Sequence, residues 1–476
     1  MTASLVLDQP VATPPLQSAS ASGRAFDRFL AGLAGRVELP GSRTWDQARR
    51  SWNLGYDPQP LAVVRAADAV DVAATVRFAR EHDVPLTVRS GGHSLAGYSA
   101  ADGAILLDLG NLRTLDIDPA ARIAMAGPGL RAGEYSVAAV AHGLGTSFGD
   151  TGSVGLGGLV TGGGIGWLTR AYGMTIDSLV AADIVTADGE LRTIDAEHEP
   201  ELFWGLRGGG GNLGIATRFA LRLHPVDRFL GGAIALPATV DVVRRVIEAA
   251  DAAPEGLTLI PSLMRIPPLP FVPAEHHGRP SLVVLVAWVG DPEAGQRALA
   301  PIRAIAPALG DMVAPMPYPA IYGLTEEAGK PTVDASRSAF LSDLDDAAIA
   351  GMIEGIETST AEMTIIQLRV LGGAMARVPA DATAFAHRDA RIMLVAIAAT
   401  SDLERRPANE AWATRMLELV APRATGVYAN FLHREGPERV RQAYPGATWD
   451  RLVALKRRWD PTNLFRFNQN VAPSIA

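Results

Sequence analysis

The residues best placed to do chemistry lie in three glycine-dense loops. Arg89-Ser-Gly-Gly-His-Ser94 directly follows the strand-like run Pro85-Leu-Thr-Val. Its glycines, Gly91 and Gly92, let the backbone curl so that consecutive amide N–H groups point at one anion, a geometry suited to pyrophosphate. His93 leaves the same turn, so a phosphate-bound ligand would lie beside a nucleophilic imidazole. The second loop runs Gly149-Asp-Thr-Gly-Ser-Val-Gly-Leu-Gly-Gly158 and then Gly162-Gly-Gly-Ile-Gly166. It has too little side chain to pack as an element, but it offers backbone to a flat or elongated ligand. The third, Arg207-Gly-Gly-Gly-Gly-Asn-Leu-Gly214, adds Asn212 as a polar contact. The glycines of the second loop lack the strand-to-helix setting of a nicotinamide fingerprint. Three such loops in one region favour a large cofactor over tight turns alone.

Regular elements must hold these loops. Leu61–Val64 reads as a strand, Asp68 as an N-cap, and Val70, Ala73, Ala74 and Phe78 repeat at helical spacing up to His82. With Pro85–Arg89 as the next strand, this makes a β-α-β unit, preceded by a short amphipathic helix from Arg24 to Gly35. Strands are expected over 104–109, 123–126, 179–186, 191–194 and 215–223, with a helix over 134–142 and a hairpin turn at Asp188-Gly189. Beyond Pro225 glycine becomes sparse and strands alternate with helices; 257–265 and 282–289 are strand candidates. The proline-rich stretch between them, Pro267 to Pro273, reads equally well as an active-site loop or a surface connection. A helix is expected over 449–459. The divisions are a flexible leader at 1–23, a cofactor domain at 24–226 with its core at about 57–226, a second domain at 227–426, and a C-terminal segment at 427–476.

Composition narrows the function classes. A chain of 476 residues exceeds what one core usually serves, and 48% apolar with 20% charged residues is ordinary for a globular protein. The net charge of −8 argues against nucleic-acid binding. With no cysteine in the sequence, disulfides, thiolate metal sites and cysteine nucleophiles are excluded. No apolar run approaches the roughly 20 residues of a membrane helix, and 1–23 lacks the features of a signal peptide. A cytoplasmic protein without membrane, metal or nucleic-acid partners is expected.

Six motifs, in order and spacing, carry a family resemblance. They are Arg89–Ser94, Gly155–Gly166, Tyr172-Gly-Met-Thr-Ile-Asp177, Asp183–Gly189, Leu202–Gly214 and Asp460-Pro-Thr-Asn-Leu-Phe-Arg466. Together they resemble the berberine-bridge-enzyme-like FAD-linked oxidases of the vanillyl-alcohol oxidase / p-cresol methylhydroxylase superfamily. Within it the chain is most similar to the bacterial 6-hydroxy-D-nicotine oxidase / EncM-like branch. The resemblance implies an α+β fold: an FAD domain of two α/β subdomains, a substrate domain whose antiparallel sheet is covered by helices, and a C-terminal strand and tail returning to the FAD domain. It implies FAD bonded to His93. Many relatives add a cysteinyl link where this chain has Thr151, so attachment here is through one histidine. The same comparison assigns cofactor contacts to Arg89, Ser90, Gly91, Gly92, Ser94, Thr151, Gly152, Ser153, Gly157, Gly158, Gly162, Gly166, Val185, Asn468 and Asn470.

The implied activity is hydride transfer from an alcohol, amine or natural-product intermediate of secondary metabolism to the flavin, with O2 as acceptor. Such a reaction needs a base for the heteroatom proton. The resemblance offers Tyr428 as that base, with Asn430 on the same side by strand alternation; a buried structural tyrosine is an equal reading. Gln367 stands where some relatives carry a glutamate, and an amide cannot act as a base. Arg369 would share its strand face on the substrate side, and His387 is a further substrate-side or structural residue. Two alternatives follow. One is an EncM-like flavin N5-oxide oxygenase, weakened by Val154 in place of a hydroxyl residue. The other is a catalytically silent flavin-binding protein. Whether the chain forms a homodimer is left open.

Overall fold

Asp68 starts a helix as its position predicts: its carboxylate accepts hydrogen bonds from the Val70 and Asp71 amides and caps Ala69–Glu81. In the computed structural model, which describes residues 21–473, this helix buries Val72, Val76 and Ala79 against a four-stranded sheet. The sheet order is Arg36–Glu38, Ala62–Arg65, Ile105–Asp108, Leu86–Arg89. The last three strands are parallel. Ile105–Asp108 therefore lies between the two strands of the expected β-α-β unit, a pairing that periodicity cannot reveal. The short edge strand Arg36–Glu38 pairs antiparallel. The amphipathic helix spans Ala21–Ala31, opening three residues ahead of Arg24, and stacks Phe29 on Phe78 with ring centroids 4.3 Å apart. The rest of the expected leader, residues 1–20, lies outside the described residues.

A second, five-stranded sheet is antiparallel throughout, in the order Leu115–Asp118, Ile123–Ala126, Ile215–Arg222, Leu179–Val185, Leu191–Asp195. Its expected hairpin closes through Gly189, whose φ of +81° suits glycine and whose N–H donates to the Thr186 carbonyl.

The third sheet has nine antiparallel strands, built around Phe229–Pro237, Pro280–Val289, Leu257–Arg265, Met363–Val370, Ile392–Thr400 and Val333–Leu341 in that spatial order. Side chains alternate between its faces. Ile366, Leu368, Leu394 and Ala396 point into a core shared with the helices Val240–Asp251, Pro292–Arg303, Asp346–Thr358 and Arg406–Val420. Ile365, Gln367, Arg369, Val395 and Ile397 border a cavity on the opposite side. The α+β expectation, with a helix-covered antiparallel sheet, is met. The chain then returns: Val427, Leu432, Val440, Leu452 and Val471 join the core of the second sheet. This return is made of the helices Pro437–Ala443 and Ala447–Trp459. No strand follows Gly426 among the described residues, so the expected C-terminal strand is replaced by helix and irregular chain.

Candidate active site

The three glycine loops, separated by up to 120 residues, meet around one cavity of about 620 Å³. The first two interlock at the backbone. A Cβ on Gly91 would lie 2.3 Å from the Gly155 nitrogen, and one on Gly155 would lie 2.2 Å from the Gly91 nitrogen. Ser90 fastens the same junction, donating to the Pro128 carbonyl at 2.6 Å and accepting from the Gly157 N–H at 3.1 Å. Gly158 and Gly210 both line the cavity, and a Cβ at either would meet no protein atom within 4 Å. Those glycines leave backbone bare toward a ligand rather than toward a packing neighbour.

His93 sits at the cavity wall, its ring stacked on Trp52 with centroids 5.3 Å apart and its Nε2 3.1 Å from the Ser153 hydroxyl. Burial, reinforced by the Arg131 charge, depresses its pKa to about 4. The imidazole is therefore neutral near pH 7, the state in which a ring nitrogen has a lone pair to form a bond. Trp52 also donates from its indole nitrogen to the Gly329 carbonyl, tying the histidine's surroundings to the second domain.

Across the cavity stand Gln367 and Arg369, on the face that strand alternation assigned them. Arg369 is 4% exposed, ion-paired with Asp150 of the second loop, and positioned over the Phe431 ring. Tyr428 is buried, and its hydroxyl accepts from the Gly164 N–H at 2.7 Å and the Asn430 amide at 3.0 Å. Desolvation pushes its pKa up to about 12, outweighing those two donors. At neutral pH it is a neutral phenol, so its contacts suit the structural reading better than the base reading. Tyr428 and Asn430 do meet at the cavity, but not by strand alternation: Ala429–Phe431 is a 3₁₀ turn.

Several expected contacts lie elsewhere. Arg89 borders the cavity, but its guanidinium is taken by Asp108 at 2.6 Å and by the Ala48 and Arg50 carbonyls. Gly152, Gly162 and Gly166 stand behind the cavity wall. Their missing side chains make room for Tyr322, Asn430 and the Phe148 carbonyl respectively. Val185 is a fully buried core residue. Ser153 acts through His93 rather than by lining the cavity, and Asn470 is likewise outside the lining. His387 is buried away from the cavity, its Nε2 2.9 Å from the Gln442 carbonyl, with its pKa lowered by desolvation. Asn212 is fully engaged with the Gly209 and Gln469 carbonyls and the Val471 N–H. The proline-rich stretch 267–273 does not border the cavity and is a connection. Gly92, Ser94, Thr151, Gly157, Gly158 and Asn468 do line it.

Sequence reasoning missed Trp52 and Asp150. Nothing marks Trp52 in the sequence. Asp150 had a signal, since it is the one acid within the second glycine loop.

The late motif reaches the cavity through a buried cation. Lys456 is fully buried and donates to the Asp460 carboxylate at 2.6 Å and to the Asn212 and Phe465 carbonyls at 2.9 and 2.8 Å. All three ammonium hydrogens are thus satisfied, and the third glycine loop is locked to the tail that presents Asn468.

Comparison with known proteins agrees with this arrangement. Residues 60–195 match the model of the FAD binding domain, and residues 427–472 that described as berberine and berberine like. The (R)-6-hydroxynicotine oxidase of Paenarthrobacter nicotinovorans is 30% identical over 459 residues, covering 93% of this chain and 97% of the relative. The chain belongs to the berberine-bridge-enzyme-like FAD-linked oxidases. An uncharacterized FAD-linked oxidoreductase of Bacillus subtilis, YvdP, is also 30% identical, covering 93% of this chain and 99% of its own length. Among solved structures, 6-hydroxy-D-nicotine oxidase from Arthrobacter nicotinovorans superposes with a TM-score of 0.83 at 25% identity, covering 93% of this chain and 98% of that one. The chain is accordingly an FAD-dependent oxidase, and its cofactor is FAD. Neither the oxygenase nor the silent flavin-binding alternative is favoured by these relatives. The residues present fit the dinucleotide: open backbone at Gly158 and Gly210 and an interlocked loop pair at Gly91 and Gly155 form a cradle that side chains would fill.

Proposed function

We propose that this oxidase carries FAD on a single covalent bond to His93 and oxidises an alcohol or amine with an apolar body, passing the electrons to O2. The observation that carries the reading is His93 itself, a neutral imidazole held between Trp52 and Ser153 where three glycine loops meet. When bound, FAD supplies the two-electron acceptor. The chain supplies position and proton management. Trp52 and Ser153 fix the imidazole so that its lone pair faces one direction. Met363, Ile365, Val395 and Ile397 give the sheet wall of the cavity an apolar surface that favours an apolar substrate body and excludes water. Gln367 borders the cavity and has no side-chain hydrogen bond among the described residues, so its amide is available to orient a polar substrate group.

The test is acid precipitation of the purified protein. Yellow flavin in the washed pellet is expected, and the His93→Ala variant should release it to the supernatant. A colourless wild-type pellet refutes the covalent reading. Stopped-flow reduction by a panel of benzylic alcohols and cyclic amines, (R)-6-hydroxynicotine included, then identifies the substrate class.

A further inference from the structure

Removing a hydride from an alcohol, or from a primary or secondary amine, requires that the O–H or N–H proton go somewhere, and Gln367 cannot take it. Four carboxylates border the cavity: Asp150, Glu327, Asp334 and Glu362. Glu327 sits at the exposed rim, paired with Lys330. Glu362 is held by Ser401 and Thr400 at the outer end of its strand. Asp334 is taken up by His433 at 2.8 Å and the Ser336 hydroxyl at 2.8 Å.

Asp150 is different. It is 7% exposed and projects from the second glycine loop toward the Gln367–Arg369 face. Arg369 binds its Oδ2, while Oδ1 receives only a long contact, 3.3 Å, from the Thr151 hydroxyl. Its backbone is rigid, because its carbonyl accepts from the Thr325 hydroxyl at 2.6 Å and the Trp167 indole at 3.2 Å. The Arg369 guanidinium thus fixes one carboxylate oxygen at the cavity wall and leaves Oδ1 as the oxygen open to a proton from a substrate.

We propose that Asp150 is the proton acceptor of the oxidation, a carboxylate supplied from the cofactor domain in place of one on the sheet. The proposal rests on the oxidase reading above. In the step, the substrate O–H or N–H bond breaks and its proton goes to Asp150. The adjacent C–H bond breaks, and its hydrogen leaves with both electrons to the flavin. The carbon–heteroatom double bond forms from the pair left behind. The substrate is oxidised by two electrons and the flavin reduced by two. O2 then takes both electrons and two protons, one of them the proton from Asp150, and leaves as hydrogen peroxide. Arg369 is a positioning residue that holds the Asp150 carboxylate at the cavity wall. Gln367 orients the same heteroatom.

The experiment uses sulfite, which adds to flavin N5 and bleaches the flavin without any substrate being known. A carboxylate next to the reacting position repels this dianion, so Asp150→Asn should bind sulfite about tenfold more tightly or better. Its flavin reduction by a panel substrate should fall about a hundredfold or more, with little change in KM. Unchanged or weaker sulfite binding, or no adduct in either protein, overturns the proposal. If Asp150→Asn does not fold, Arg369→Met and the double variant Asp150→Asn/Arg369→Met provide the same comparison without a lone buried cation, and the double variant should be the tighter binder. Failure of the oxidase reading shows separately: photoreduced wild-type protein would then stay reduced in aerated buffer.

Discussion

Replacing Lys456 by Met tests whether the C-terminal motif holds the third glycine loop in place. Lys456 and Asp460 are both 0% exposed, so removing the ammonium leaves a carboxylate buried with only the Leu464 and Phe465 amides as donors, at 2.8 and 2.9 Å. It also leaves the Asn212 and Phe465 carbonyls without the ammonium that joins them. Breaking a buried pair from one side costs about 3–5 kcal/mol. For a protein of this size that is a drop of about 3–5 °C in the unfolding midpoint. Urea unfolding followed by tryptophan fluorescence measures the cost, and flavin content after purification reports the loop. Lys456→Met should lose both stability and flavin. Lys456→Met/Asp460→Asn should recover at least half of the stability, because no unpaired charge stays buried. A single variant within about 1 kcal/mol of wild type, or a double variant less stable than the single, would refute this account.

Tyr428→Phe leaves the buried Gly164 N–H without its acceptor, a cost of about 1–3 kcal/mol in urea unfolding. Because the phenol is neutral at pH 7, flavin reduction by a panel substrate should fall less than about tenfold. A loss beyond about a hundredfold would restore Tyr428 as the base. A pH test concerns His93 and His224, both depressed to about 4, each first by burial, then by Arg131 in one case and Arg222 and Arg122 in the other. A depressed histidine stabilises the fold above its unfolded pKa of about 6.5, and that stability drains as pH falls from there to the folded value of about 4, below which no more is lost. In flavin-free protein each should contribute a loss of about 2 kcal/mol between pH 7.5 and pH 5. His224→Gln should show a visibly shallower decline; an identical slope refutes the assignment.

Much of the molecule was readable from residue order. Asp68 capped its helix, the alternation in 363–370 put Gln367 and Arg369 on one face, and the three glycine loops announced a ligand. What was not readable was which glycines face the ligand. Gly158 and Gly162 look alike in sequence, yet one opens on the cavity and the other leaves room for Asn430. A glycine reports only that something approaches its backbone, and whether that is ligand or protein depends on distant chain. The same limit applies to Arg89 and His387, whose partners Asp108 and Gln442 lie 19 and 55 residues away.

The sequence by itself determined the cofactor class: the loop motifs carry the family resemblance, and a chain without cysteine leaves no thiol tether, which is why the proposed anchor is His93. Only the tertiary structure brings together the pair on which the proposed proton chemistry rests. Asp150 and Arg369 are 219 residues apart, one in the second glycine loop and the other within the strand Met363–Val370, and each alone is an ordinary charged residue. Their meaning comes from being buried together, because a charged group removed from water needs a partner beside it and folding supplies one from distant chain.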